Sequence, residues 1–204
     1  MSAIRIYVEG DKQLRRGFNR FFSGLIAAAG KNGVAFEIIA CGPRGEAYNR
    51  FKLAEQEYTD SFNLLLVDSE EEVRETESPR AHLARVEGWD LRGVAEEQVH
   101  LMAQTMETLF LAEPDVLSTY FGKDFAAGAL PKRADIEAIS KADVESALKR
   151  AVAGTKKRTY HKVAHGPDIL ERLDPDRVRR RAPHCDRLFE TIIAKTILKY
   201  ITAS

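Results

Sequence analysis

Two hydrophobic periods alternate along the first half of the chain. Residues 4–8 (IRIYV) form a short β-branched run that stops at Glu9-Gly10. Over 14–29 the apolar positions Leu14, Phe18, Phe21, Phe22, Leu25, Ile26 and Ala29 then fall on one helical stripe. Gly30 and Gly33 bracket its end, as helix C-termini prefer. A second strand is predicted over 34–41 (VAFEIIAC), closed by Gly42-Pro43. A helix follows over 46–59, and a third strand over 62–67 (FNLLLV) runs into Asp68. Strands with so few polar positions are buried on both faces, which predicts a parallel sheet covered by helices.

Beyond Gly93 the pattern admits two readings. The stretch 99–112 (VHLMAQTMETLFLA) is either one buried helix, with His100, Gln104 and Glu107 on one face, or a strand over 99–104 and a helix from about Met106. The rest reads as helical. Asp143 is a candidate cap for 144–153, Asp174-Pro175 pairs a cap with a first-turn proline, and Pro183 opens a long last helix. That helix carries Leu188, Phe189, Ile192, Ile193, Ile197, Tyr200 and Ile201 as a core stripe. The expected fold class is therefore α/β: an open, mostly parallel sheet with helices on both faces. The α/β portion spans 1–113, and a helical extension over 114–204 packs on it as one structural unit.

Composition changes this picture little. A chain of 204 residues with 44% hydrophobic and 30% charged residues can bury a core without staples. Cys41 and Cys185 show no pairing pattern, which suits reduced thiols in a cytoplasm. No early basic-plus-apolar signal segment and no apolar run of about 20 residues is seen, so a cytoplasmic protein without membrane contact is expected. The glycine-rich, Walker, HExxH and GxSxG motifs are missing, leaving dinucleotide, P-loop, zincin and serine-hydrolase chemistry without support.

Charge is more informative where it is local. The formal net charge is zero, yet 68–77 (DSEEEVRETE) holds six acids against one arginine, and 156–187 holds ten Lys/Arg against five Asp/Glu. Ligands of open parallel sheets sit at the carboxyl ends of the strands, where Glu9 and Asp68 fall as the first residues beyond strands one and three. If those strands are neighbours, Glu9, Asp68 and Glu70 converge into a hard-oxygen site for Mg²⁺ or Mn²⁺. Without a cation such acids repel, so losing the Asp68 charge is expected to leave stability unchanged or raise it. Glu107 is a candidate fourth acid or a buried structural carboxylate. Glu70 to Glu72 read equally as the exposed acidic start of a helix. In the basic stretch, Arg177, Arg179, Arg180, Arg181, His184 and Arg187 surround the start of the last helix, a place for phosphate or nucleic acid. Lys156, Lys157, Arg158, His161 and Lys162 are further phosphate contacts or a solvated loop. Cys185 is a minor candidate nucleophile beside His184.

The run IYVEG at 6–10, the helix–strand–helix that follows, and LLLVDSE at 64–70 resemble the Toprim domain of topoisomerases, primases, OLD-family nucleases and small ribonucleases. Its signature is a Glu-Gly after the first strand and DxD after the third; here the second motif is D-S-E. The chain is also similar to an uncharacterised bacterial family with a Toprim-like front half, through VEGD, HLMAQTMETLFLAE and RAPHCDRLF. The resemblance implies Mg²⁺-assisted chemistry on phosphodiesters. Asp68 and Glu70 would be ligands, and Glu9 a general acid/base or further ligand. The implied function is a nuclease of bacterial defence or nucleic-acid processing, beside an ATPase partner. Two rivals are a non-catalytic metal- or nucleic-acid-binding regulatory subunit of an ATPase-containing complex, and a phosphotransfer receiver with Asp68 as acceptor.

Overall fold

The computed structural model describes the backbone of residues 1–202 and the side chains of residues 1–197. Four strands make one open, all-parallel sheet: β1 (Ala3–Val8), β2 (Ala35–Ala40), β3 (Phe62–Asp68) and β4 (Val99–Met102), in the order β2-β1-β3-β4. The class expected from the apolar pattern is the one observed. Even-numbered residues of β1 and β3 (Ile4, Ile6, Val8, Leu64, Leu66) enter one core, while Tyr7, Leu65 and Val67 enter the other. Both faces are buried, hence the near-continuous apolar strands.

Helices α1 (Lys12–Phe21) and α2 (Ser23–Lys31) replace the single predicted helix, meeting at Phe22. Asp11 caps α1 by accepting from the Gln13 and Leu14 N–H groups. On the opposite face lie α3 (Arg44–Glu57) and α4 (Pro79–Glu87). The second reading of 99–112 holds: β4 ends at Met102 and a tight 3₁₀ segment runs from Met106 to Ala112.

The extension supplies α5 (Pro114–Phe121), α6 (Lys141–Val152), α7 (Lys162–Leu170), α8 (Pro175–Arg179) and α9 (Pro183–Thr202). It joins the α1/α2 side of the sheet in one core that runs from Ile4 to Ile192. Phe189 of α9 meets Phe21 edge-on at 5.7 Å and lies 5.4 Å from Phe22. At the α1–α7 crossing Gly17 has no room for a side chain, since a Cβ there would sit 2.9 Å from the Pro167 carbonyl oxygen. That close approach seats α7 and fixes where its first residue, Lys162, points.

Several boundaries differ from expectation. Ser140, not Asp143, caps α6; Asp143 sits in the first turn and accepts from the Ser140 hydroxyl. Asp174 caps α8 as expected. On α9, Leu188, Phe189 and Ile192 are buried and Ile193 partly so, but Ile197 is exposed, and the Tyr200 and Ile201 side chains lie outside the described residues. No helix among the described residues is long and apolar enough to cross a membrane.

Gly10 closes β1 with φ +125°, exchanging backbone hydrogen bonds of 2.7 and 2.8 Å with Gly42. A Cβ there would fall 2.3 Å from Leu14 Cδ2. Gly10→Ala is expected to cost about 1–3 kcal/mol through backbone strain and this clash. Urea unfolding measures it, and an unchanged midpoint would contradict the account.

Candidate functional site

In the order β2-β1-β3-β4 the connections leave in opposite directions at β1 and β3, so the crevice between those strands' carboxyl ends is the switch point of the sheet. Glu9 is the residue after β1. Asp68 is the last residue of β3 rather than the first beyond it. Ligand oxygens of Glu9, Asp68 and Glu70 lie within 4.8 Å of one another. The convergence expected for neighbouring strands is therefore present. Glu70 reaches inward from a loop, not a helix start, and has φ +65°. Its N–H donates to the Gln104 carbonyl at 2.9 Å. The buried His82 ring, from α4, contacts the Ser69 carbonyl at 2.9 Å and Glu77 at 3.1 Å, pinning the start of this loop.

Asp68 is 1% exposed and fully engaged. Its Oδ1 accepts from the Met106 N–H at 2.8 Å; Oδ2 accepts from Lys162 Nζ at 2.9 Å and lies 3.2 Å from Thr105 Oγ1, whose single proton goes to the nearer Glu107 carboxylate. Burial raises its carboxyl, while Lys162 and these donors draw it back. Lys162 is correspondingly held above its usual range: burial opposes the charge, but Asp68 and Glu107 outweigh it. Glu107 stands behind the cluster. It accepts from Thr105 at 2.7 Å and Tyr160 at 3.0 Å, and lies 3.5 Å from Lys162, so it orients the lysine.

Glu70 has its own cations, Lys141 at 2.5 Å and Arg44 at 3.5 Å. Arg44 also donates to the Asp68 carbonyl at 2.7 Å and pairs with Glu87 at 3.2 Å. Glu9 has no ion pair among the described residues; its Oε2 takes only the Asp68 N–H, at 3.4 Å. Burial first, then Asp68, pushes its carboxyl up. The acids thus do not simply repel. Lys162, Lys141 and Arg44 lie against them, so the uncompensated repulsion on which the expectation for Asp68 rests is not what the structure shows. Of these three, only Lys162 was visible in the sequence, as part of a basic run; nothing local marks Arg44, Lys141 or Thr105.

The proposed phosphate site around Pro183 has a different occupation. Glu137 takes the helix N-terminus: its Oε2 accepts from the His184 N–H at 2.9 Å and contacts His184 Nδ1 at 2.7 Å. Arg181 donates to the carbonyls of Leu111 (2.7 Å), Ala112 (3.1 Å) and Arg133. Arg187 donates to those of Val99 (2.9 Å) and Glu96 (2.6 Å). Arg177 pairs with Glu113 and Asp174, and Arg179 with Asp186 and Glu190. Arg181, His184 and Arg187 therefore hold the extension together instead of facing a ligand, while Arg180 is simply exposed. Cys185 is buried, and burial pushes its thiol up, a setting that disfavours the thiolate a nucleophile needs. Lys156, Lys157, Arg158 and His161 are exposed, Lys157 lying 4.7 Å above the Tyr120 ring.

An open parallel α/β protein with carboxylates and basic side chains at the sheet's switch point is the class these observations define. Residues 11–193 match the family model described as Domain of unknown function (DUF4276), and the chain belongs to that family. The match takes in Asp68, Glu70, Lys141 and Lys162, with Glu9 just ahead of it. No curated protein and no solved structure matches the chain.

Three outcomes follow from this geometry. Asp68→Asn turns an amide toward Lys162 and is expected to lower metal-free stability by about 1–2 kcal/mol, read by chemical denaturation. An equal or higher stability would restore simple repulsion. Arg181→Ala strips donors from interior carbonyls and should cost about 1–3 kcal/mol, with nucleic-acid binding unchanged in a salt titration. His100, under Arg187, is pushed down from 6.5 to about 3 by burial first and the Arg187 charge second. A depressed base stabilises the fold fully above its unfolded value, and that share is lost as pH falls through 6.5 toward 3. Roughly 3 kcal/mol should go by pH 4.5, and His100→Gln should abolish that dependence in pH-resolved melts.

Proposed function

We propose that this protein binds a divalent cation, Mg²⁺ or Mn²⁺, at Glu9, Asp68 and Glu70 and hydrolyses phosphodiesters of nucleic acid there. The observation that carries the reading is the approach of three hard carboxylates within 4.8 Å at the switch point of a parallel sheet. The donor set fits such a cation: all oxygens, from two strand ends and one pinned loop, with Glu9 in no ion pair among the described residues. The Toprim resemblance of 6–10 and 64–70 adds the substrate class.

A bound divalent cation would polarise a phosphoryl oxygen and steady the charge on the attacking and leaving oxygens. The chain's own groups do the rest. Glu9, with its carboxyl pushed up, either completes the ligand set or takes a proton from the attacking water at Oε1 or Oε2. Lys141 and Lys162 offer ammonium groups to non-bridging phosphate oxygens, and Glu107 with Tyr160 keeps Lys162 oriented. The two buried free cysteines suit a cytoplasmic setting, and an ATPase partner rests on the resemblance alone.

One observation favours the rival of a non-catalytic binding subunit: Lys162, Lys141 and Arg44 already neutralise Asp68 and Glu70. The receiver reading gains Thr105 and Lys162 beside Asp68, but a carboxylate 1% exposed with both oxygens engaged is a poor phosphoryl acceptor. Incubation with plasmid, single-stranded DNA and RNA tests the proposal. Cleavage is expected with Mg²⁺ or Mn²⁺, absent with EDTA, and lowered at least about 100-fold in Glu9→Gln. A binding-competent protein that cleaves none of them overturns the catalytic reading.

A further inference from the structure

The acidic cluster is half of a mixed-charge site. Arg44, Lys141 and Lys162 are each the first residue of a helix, α3, α6 and α7, and all three converge on the carboxylates. A cation at a helix N-terminus opposes the helix dipole, so this repeated placement is unfavourable unless an anion lies ahead of it. In the structure those anions are Glu70 and Asp68. Glu9 completes the contrast, being a half-buried carboxylate with no ion pair among the described residues. Lys162 is 44% and Lys141 31% exposed at the side chain, so neither is sealed in the core.

We infer that the site takes a divalent cation and a substrate phosphate together, by exchange of partners, which rests on the cation site proposed above. The cation takes the Asp68 and Glu70 oxygens that Lys162 and Lys141 now occupy. The released ammonium groups, with Arg44 beside them, then face the crevice and hold the phosphate oxygens. Each ligand thus removes the competitor of the other. A cation alone has to leave two ammonium groups beside it, and a phosphate alone has to sit beside the carboxylates. Occupation of one half raises affinity for the other, and by linkage the effect is reciprocal. The ligand class is a phosphodiester carried with Mg²⁺; the lysines act on binding and position, apart from any chemical step.

Calorimetric titration of the full chain with Mg²⁺ tests this, with and without a saturating non-hydrolysable phosphorothioate dinucleotide. Mg²⁺ affinity should rise at least about fivefold with the dinucleotide present. Lys162→Met should bind Mg²⁺ about fivefold or more tighter than wild type without the dinucleotide, and should lose most of the coupling. Lys162→Arg should restore the coupling. Lys141→Met serves as the second variant should Lys162→Met melt early, with the same expectations. Mg²⁺ affinity that ignores the dinucleotide, or foldable Met variants that bind Mg²⁺ no tighter, overturns the exchange while leaving the cation site standing. No Mg²⁺ uptake under either condition overturns the exchange and the cation site together.

Discussion

The contact between Lys162 and Asp68 ties the two portions of the chain together. Asp68 ends the strand that shares the switch point with β1, and Lys162 begins a helix 94 residues later. A carboxylate at 1% exposure needs partners, because an unpaired charge at that depth costs several kcal/mol. The extension supplies one directly through Lys162, which Glu107 of the α/β portion steadies together with Tyr160 of the extension. The α/β portion therefore presents a site whose charge balance is completed only by the helices packed over it.

That dependence explains features that look unrelated along the chain. Gly17 lets α7 lie close on α1, which sets the height at which Lys162 meets the strand end. Phe189 docks α9 on Phe21 and Phe22, while Arg187 and Arg181 satisfy carbonyls where regular pairing stops. These arginines are held by geometry that a phosphate would have to break, so the basic character of 156–187 is mostly internal bonding. The basic side chains that do face the acids come one each from α3, α6 and α7.

The same arrangement bears on how such a site stays folded without a ligand. Four carboxylates close together would repel, yet Thr105, the Met106 N–H, Lys162, Lys141 and Arg44 distribute donors among three of them. Glu9 is left half-buried and weakly bonded, with its carboxyl pushed up by burial and by Asp68. A structure that compensates all but one of its acids is stable at rest and still attractive to a hard cation.

The sequence by itself determined the first three strands, the parallel sheet and the acidic half of the site, but neither α4 nor the break between α1 and α2. Strand ends are local facts: a β-branched run stopping at Glu9-Gly10 and another at Asp68 place their carboxylates at the same edge of any parallel sheet. For 99–112 the sequence left a helix and a strand-then-helix both open, with His100, Gln104 and Glu107 as the polar groups of an apolar stretch. Only the tertiary structure decided which partners such groups take. Lys162, Lys141 and Arg44 lie far from Asp68 and Glu70 in sequence, and whether an arginine meets a carbonyl, as Arg181 and Arg187 do, or a carboxylate depends on helix docking. The helix N-terminus at Pro183 looked open because its occupant, Glu137, comes from a loop 47 residues upstream of His184. Periodicity and local spacing report which face of an element is buried; they carry no information about which distant charge will be pressed against it.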